Sequence, residues 1–249
     1  MLNILIIQNG YCTTSVDKII DNILVSNSEE AKLVIIKSYD DYFNYDNINF
    51  IKMWDRIIIL GGYQSARNLD NFPYLRKVME LIRIGVSLNI PIFGICLGCQ
   101  LIARAYGNKV IKMESSQIGY HPILTITYEG KKDPIFNDSH NLDNILSFHV
   151  DTFKIKEDNP VKILATYLYK EKSYPYIIKM GSAYGVQFHP EVNLSVLKCY
   201  LEMKCDILLD KNKMNEILKY AEENEDDIVE KGTCLISNWL LHNFTPLEI

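Results

Sequence analysis

Continuous apolar runs alternate with amphipathic stretches through the first hundred positions. Asn3–Gln8 is an apolar run stopped by Asn9-Gly10, which predicts a buried strand closed by a turn. Val16–Leu24 has helical spacing after Thr13-Thr14-Ser15, residue types whose hydroxyls accept from first-turn N–H groups. Lys32–Lys37 predicts a second strand, and Arg56–Leu60 a third, halted by Gly61-Gly62. Pro73–Leu88 places Leu75, Val78, Met79, Ile82 and Val86 on one helical face. Pro91–Ile95 predicts a fourth strand, followed at once by a helix over Leu97–Tyr106 that ends near Gly107.

Strands that are apolar throughout, rather than at every second position, are those buried on both faces. The pattern therefore predicts an α/β fold: a doubly wound, mostly parallel open sheet of the flavodoxin/Rossmann-like kind, with right-handed crossovers. The style changes after Lys109. Short alternating strands are expected at Ile123–Tyr128, Ile145–His149, Ile163–Leu168, Tyr176–Met180 and Ala183–Phe188, with few helices between them. This half is expected to be mixed or antiparallel. Helical periodicity returns in Leu194–Leu209, Met214–Glu223 and Ile228–Asn243, which predicts a helical C-terminal tail from about residue 209 to 249. No repeat, low-complexity linker or composition break divides the chain, so residues 1–249 are expected to form one domain.

Charge and composition then narrow the classes. A net charge of −5 argues against nucleic acid as a partner, because phosphate affinity needs clustered Lys and Arg. No apolar run approaches the roughly 20 residues of a membrane span, and the run Leu2–Ile7 lacks the basic flank and cleavage site of a secretory leader. A cytoplasmic chain with reduced thiols is expected, with no membrane partner. The six cysteines, Cys12, Cys96, Cys99, Cys199, Cys205 and Cys234, are scattered and mostly in apolar or helical contexts.

One of them stands apart. Cys96 ends the apolar run Ile90–Ile95 and is flanked two residues away by Gly94 and Gly98, with a helix following directly. A thiol on so tight a strand-to-helix turn is pushed out of the packed layer toward the N–H groups of the helix start. Read alone, Cys96 is as well explained as a packed core thiol. A nucleophile also needs a base and donors for an oxyanion. His189 supplies the first requirement: it closes the apolar strand Tyr184–Phe188, and Glu191 lies two residues on, on the same side of an extended segment stiffened by Pro190. Glu191 can hold one imidazole nitrogen and leave the other for the thiol, as in a triad. The backbone N–H of Leu97, and one at Gly61-Gly62, answer the second; the glycines also allow close backbone approach to a substrate.

These segments together resemble the class I (triad) glutamine amidotransferase family. The matching pieces are Ile-Leu-Gly-Gly at 59–62, Gly-Ile-Cys-Leu-Gly-Cys-Gln at 94–100 and Gly-Val-Gln-Phe-His-Pro-Glu-Val at 185–192. Ile118–Ile123, Asp133–Phe136 and His149–Phe153 are similar to stand-alone members related to the amidotransferase half of GMP synthase. The resemblance covers roughly residues 1–200 and implies roles. Cys96 attacks the side-chain amide carbon of glutamine, His189 relays protons to the leaving ammonia, and Glu191 orients His189. Gly62 and Leu97 supply oxyanion N–H groups. Gly61, Gln100 and the loop His149-Val150-Asp151 contact the substrate. No metal or cofactor is implied. The partners implied are glutamine or another γ-glutamyl compound and a synthetase that accepts the ammonia; the chain carries no G-x-x-x-x-G-K-[ST] signature of its own.

The sequence departs from the family pattern at Cys99, at Val150 and at Ser173–Tyr176, and the tail beyond Leu209 matches no part of it. The departures leave room for a γ-glutamyl peptide or amine hydrolase with the same triad. The tail leaves room for a partner-dependent regulatory role, in which the Ile228–Leu241 face packs on another protein as readily as on its own core. Cys96-Leu-Gly-Cys99 also reads as a dithiol redox pair, but that reading leaves Gly61-Gly62 and His189-Pro-Glu191 unexplained. A zinc site lacks a second C-x-x-C or a close His pair. His121 is expected to be structural or at the pocket edge, and His140 and His242 to be surface or packing residues.

Overall fold

The computed structural model describes the chain except residues 11–14, 41–43, 122–123, 138–141, 203–209, 243 and 245–249. The first half follows the predicted alternation: β1 (Leu2–Gln8), α1 (Val16–Ser26), β2 (Ala31–Lys37), a single turn α2 (Ile48–Ile51), β3 (Arg56–Ile59), α3 (Leu75–Ser87), β4 (Ile92–Ile95) and α4 (Leu97–Ala105). Strands β5 (Lys109–His121), β6 (Leu124–Ile126), β7 (Ile145–Lys154), β8 (Lys162–Tyr169), β9 (Lys172–Met180) and β10 (Ala183–Val186) come next, then α5 (Leu194–Glu202), α6 (Lys211–Glu223) and α7 (Glu225–Leu241).

Eight strands form one sheet in the order β2-β1-β3-β4-β10-β9-β8-β6. The five from β2 to β10 are parallel, and β9, β8 and β6 continue antiparallel. The expected change of style thus runs within a single sheet. Period-two alternation splits the core into two layers. Leu5, Ile7, Ile57, Ile59 and Ile92 face α3 and α4, while Ile4, Ile6, Ile58, Phe93 and Ile95 face α1 and α7. β5 and β7 pair separately as an antiparallel ribbon.

Four expectations need correcting. The Ser15 hydroxyl makes no capping bond to the first turn of α1 and donates to the Glu191 carbonyl instead, while Thr13 and Thr14 lie outside the described residues. The 13-residue strand β5 is absent from the predicted elements, because an irregularity between Lys112 and Gln117 breaks its alternation over a polar stretch. His149-Val150-Asp151, expected as a loop, lies within strand β7, opposite that irregularity. The apolar faces of the tail pack on the chain's own core: Leu235, Ile236, Trp239 and Leu240 of α7 are buried against the sheet, and Ile217 and Ala221 of α6 pack beside Ile118 of β5 and Leu146 of β7. Ile123, Cys12, Cys205 and His140 lie outside the described residues.

Candidate active site

The C-terminal ends of β3, β4 and β10 converge where a parallel sheet places its ligand sites. At the end of β4 the backbone turns through Cys96 with φ 51° and ψ −101°, a positive-φ conformation that costs a non-glycine residue on the order of 1–3 kcal/mol. It is held from both sides. The Cys96 N–H donates to the Val186 carbonyl on β10 at 2.8 Å, and the Gln100 N–H donates to the Cys96 carbonyl at 3.1 Å. Gly94 and Gly98 make the turn sterically possible. A Cβ on Gly98 would stand 2.2 Å from the Ile59 carbonyl oxygen, and one on Gly94 would strike the Gly98 backbone at 2.7 Å. Helix α4 therefore starts pressed against β3 and β4, with the Leu97 N–H at its first position, where no intrahelical acceptor exists.

His189 meets Cys96 from the β10 side. Its Nδ1 lies 2.8 Å from Glu191 Oε1, which leaves Nε2 for the side-chain hydrogen bond with Cys96. Burial alone would pull the imidazole pKa down. The Glu191 carboxylate and the Cys96 sulfur outweigh it and carry the pKa up to about 10, so this imidazole is charged at neutral pH. Gly61 closes the triangle: a Cβ there would sit 3.0 Å from His189 Cε1 and 3.4 Å from Cys96 Cβ. The neighbouring Gly62 is backed by Asn9 and Gln64. Asn9 Nδ2 donates to the Leu60 carbonyl at 2.7 Å, and Gln64 Nε2 donates to the Asn9 carbonyl at 2.5 Å.

Gln187 belongs to the motif around His189, yet its residue type alone pointed to no role. It is fully buried, its Nε2 lies 3.8 Å from Cys96 Sγ, and its Oε1 accepts from Gln100 Nε2 at 3.4 Å. Its place two residues before His189 was the available signal. Gln100 also donates to the Asp151 carbonyl at 3.1 Å, so its amide nitrogen is turned inward and reaches the thiol through Gln187. His149 bonds the same carbonyl through Nδ1 at 3.0 Å; burial depresses its pKa to about 3, which keeps the ring neutral. Val150 is half-buried on the same strand. The Asp151 carboxylate accepts from Ser65 Oγ at 2.6 Å and Arg67 Nε at 2.8 Å, two residues just after Gly61-Gly62 that no sequence motif marked. The Phe148 carbonyl lies 3.8 Å from Cys96 Sγ.

The outlying candidates separate from this group. Cys99 is buried with its sulfur against Gly185, and desolvation holds its thiol well above the usual range. That environment opposes the thiolate a redox pair would need. His121 is half-buried on β5, with a pKa lowered by burial, and the His242 ring packs on Phe244.

The family model for class-I glutamine amidotransferases matches residues 11–207. The chain is 31% identical over 241 residues to a glutamine amidotransferase-like protein of Acanthamoeba polyphaga mimivirus, covering 96% of this chain and 95% of that one. It is 35% identical over 130 residues to a component of the glutamine-hydrolyzing GMP synthase of Methanocaldococcus jannaschii, covering 50% of this chain and 63% of that component. The fold is similar to a glutamine amidotransferase from Thermotoga maritima, with a TM-score of 0.76 at 22% identity over 97% of this chain and 99% of the other.

Proposed function

From the premise that the chain belongs to the class-I glutamine amidotransferase family, we propose that it hydrolyses the side-chain amide of glutamine through a γ-glutamyl thioester on Cys96. The observation that carries this reading is the chain of contacts Cys96–His189–Glu191, with Nδ1 2.8 Å from the carboxylate and the other nitrogen left for the sulfur. The sulfur adds to the amide carbon, and the carbonyl oxygen gains negative charge between the N–H groups of Gly62 and Leu97. His189 gives its proton to the amide nitrogen, the C–N bond breaks, and ammonia leaves. His189 then takes a proton from water, whose oxygen attacks the thioester. Glutamate leaves and the thiol is restored, so one glutamine and one water give one glutamate and one ammonia. Glu191 keeps the imidazole in the required orientation throughout.

In this reading Gly61, Gln100, His149, Val150 and Asp151 shape the glutamine pocket. Residues 1–249 act as one catalytic domain in the cytoplasm, without metal or cofactor. A synthetase on another polypeptide receives the ammonia, a reading supported by the likeness to a GMP synthase component. Among the described residues no helix is long and apolar enough to cross a membrane.

One observation favours a second leaving group. The Tyr200 ring lies 5.5 Å from the His189 ring and 5.6 Å from Phe148, an aromatic wall beside the group that protonates the departing nitrogen. Such a wall suits an apolar amine on the γ-glutamyl group better than ammonia.

Intact-protein mass spectrometry with glutamine and with γ-glutamyl amines tests both readings. The expected result is a transient γ-glutamyl adduct on Cys96 and none on Cys96→Ala. Glutamate release by Cys96→Ala at the wild-type rate sinks the triad, and the ratio of kcat/KM for glutamine to that for a γ-glutamyl arylamine decides the leaving group.

A further inference from the structure

The segment that carries the proposed base has no regular structure of its own. β10 ends at Val186 and α5 begins at Leu194, so His189, Pro190 and Glu191 are held by what surrounds them. The His189 N–H donates to the Leu146 carbonyl on β7 at 2.8 Å. The Ser15 hydroxyl, at the start of α1, donates to the Glu191 carbonyl. The closest contact comes from the C-terminal helix. A Cβ on Gly232 would stand 2.0 Å from the Pro190 carbonyl oxygen and 2.9 Å from its carbonyl carbon. The backbone of α7 thus rests directly on the proline between the two residues. Further along, Trp239 packs on Phe93 at 5.2 Å between ring centres, and Phe93 belongs to β4, the strand that ends at Cys96. At its other end, Glu225 Oε1 accepts from the Leu194 N–H at 3.3 Å. One rigid helix therefore spans from the strand bearing the thiol to the segment bearing the imidazole and carboxylate.

The geometry points to α7 as a positioning element of the active site: Gly232 bearing on Pro190, together with Ser15 bonding Glu191, fixes His189 and Glu191 relative to Cys96. This inference rests on the triad reading above and assigns a role to a tail that the sequence left without one. An alanine methyl at 232 has no room, so Pro190 or α7 must move. Displacing a reacting group by about 1 Å is enough to cost about 100-fold in rate.

The test is the rate of Cys96 alkylation by iodoacetamide in the full chain at pH 6.5 and pH 10, followed by fragment-resolved peptide mass so that Cys96 is read apart from the other five cysteines. It requires no knowledge of the natural substrate. A thiol paired with a charged imidazole reacts at pH 6.5, whereas at pH 10 even an unpaired thiol is ionised. Gly232→Ala is expected to slow labelling at pH 6.5 by about tenfold or more, with the rate at pH 10 unchanged. Leu235→Ala, a core truncation on the same helix, is expected to lower Tm and keep the wild-type ratio of the two rates. Ser15→Ala introduces no clash, is expected to change the ratio in the same direction as Gly232→Ala, and decides the matter if Gly232→Ala does not fold. A wild-type ratio in Gly232→Ala, or in Ser15→Ala where only that variant folds, overturns the inference while the triad stands. An equal loss in Leu235→Ala at matched Tm overturns it too. A wild-type Cys96 that is no more reactive at pH 6.5 than a free thiol fails the triad reading itself and takes this inference with it.

Discussion

Arg67 Nε stands 2.8 Å from Asp151 Oδ1, and this pair ties the segment after β3 to strand β7. Gly61-Gly62 opens the first of these elements, and the Asp151 carbonyl on the second gathers Gln100 and His149. The two ends of the bridge are unequal: the Asp151 side chain is 5% exposed and that of Arg67 is 40% exposed. Arg67→Ala leaves the carboxylate with Ser65 and is expected to cost about 1 kcal/mol or less, the usual worth of a partly exposed pair. Asp151→Ala empties a buried position and takes the acceptor from both half-buried Ser65 and exposed Arg67, and is expected to cost about 1–2 kcal/mol, more than Arg67→Ala. It also frees the glycine turn from β7, so KM for glutamine should rise by a larger factor than kcat falls. Urea midpoints and steady-state kinetics on both variants check this; equal effects of the two substitutions would contradict it.

The His189–Glu191 contact gives a pH dependence whose sign can be worked out. His189 titrates near about 10 in the folded chain, against about 6.5 for an unfolded histidine. A raised histidine pKa stabilises the fold fully below about pH 6.5, and that contribution disappears as pH rises through about 10. Glu191→Gln removes the carboxylate and leaves the Cys96 sulfur alone to oppose the downward pull of burial on the imidazole pKa. The stability difference between wild type and Glu191→Gln should therefore be largest near pH 6 and shrink toward pH 10. Denaturant midpoints at half-unit pH steps measure it, and a difference that stays flat across that range would falsify the ion pair. Turnover of glutamine by the same variant is expected to fall by about 100-fold or more.

What the chain disclosed of this arrangement follows from where its information is local. Strands β1, β3 and β4 are short apolar runs ended by glycine or by a turn, and buried parallel strands have no other pattern available to them. The proximity of Cys96, His189 and Glu191 was legible because tight turns and a proline fix their surroundings within a few residues. Strand β5 was not legible, since its register shift between Lys112 and Gln117 depends on pairing with β7, more than thirty residues away. Ser15 is legible only as a helix cap, a bond its side chain does not make, and not as the donor to the Glu191 carbonyl. Ser65, Arg67 and Gly232 were missed for the same reason as β5. Each acts on a partner at a distant sequence position, and nothing in its own neighbourhood marks it. The placement of His149–Asp151 in a strand rather than a loop belongs to this class as well.

The Trp239 ring lies 5.2 Å from Phe93 and is buried with Leu235, Ile236 and Leu240, so the last helix is part of the core that supports β4. Trp239→Ala should leave a cavity beneath that strand and cost about 3–5 kcal/mol, a large share of the roughly 5–15 kcal/mol that holds a typical domain. The indole N–H has no partner among the described residues, so Trp239→Phe gives up no hydrogen bond. It is expected to cost less than Trp239→Ala, by the volume that the second ring fills. Leu241, the last residue of the same helix, is 37% exposed, and Leu241→Ala should stay within about 1 kcal/mol of wild type. Thermal and urea unfolding of the three variants rank them. If Trp239→Ala melts with Leu241→Ala, α7 is not core and the sheet beneath Cys96 is held by something else.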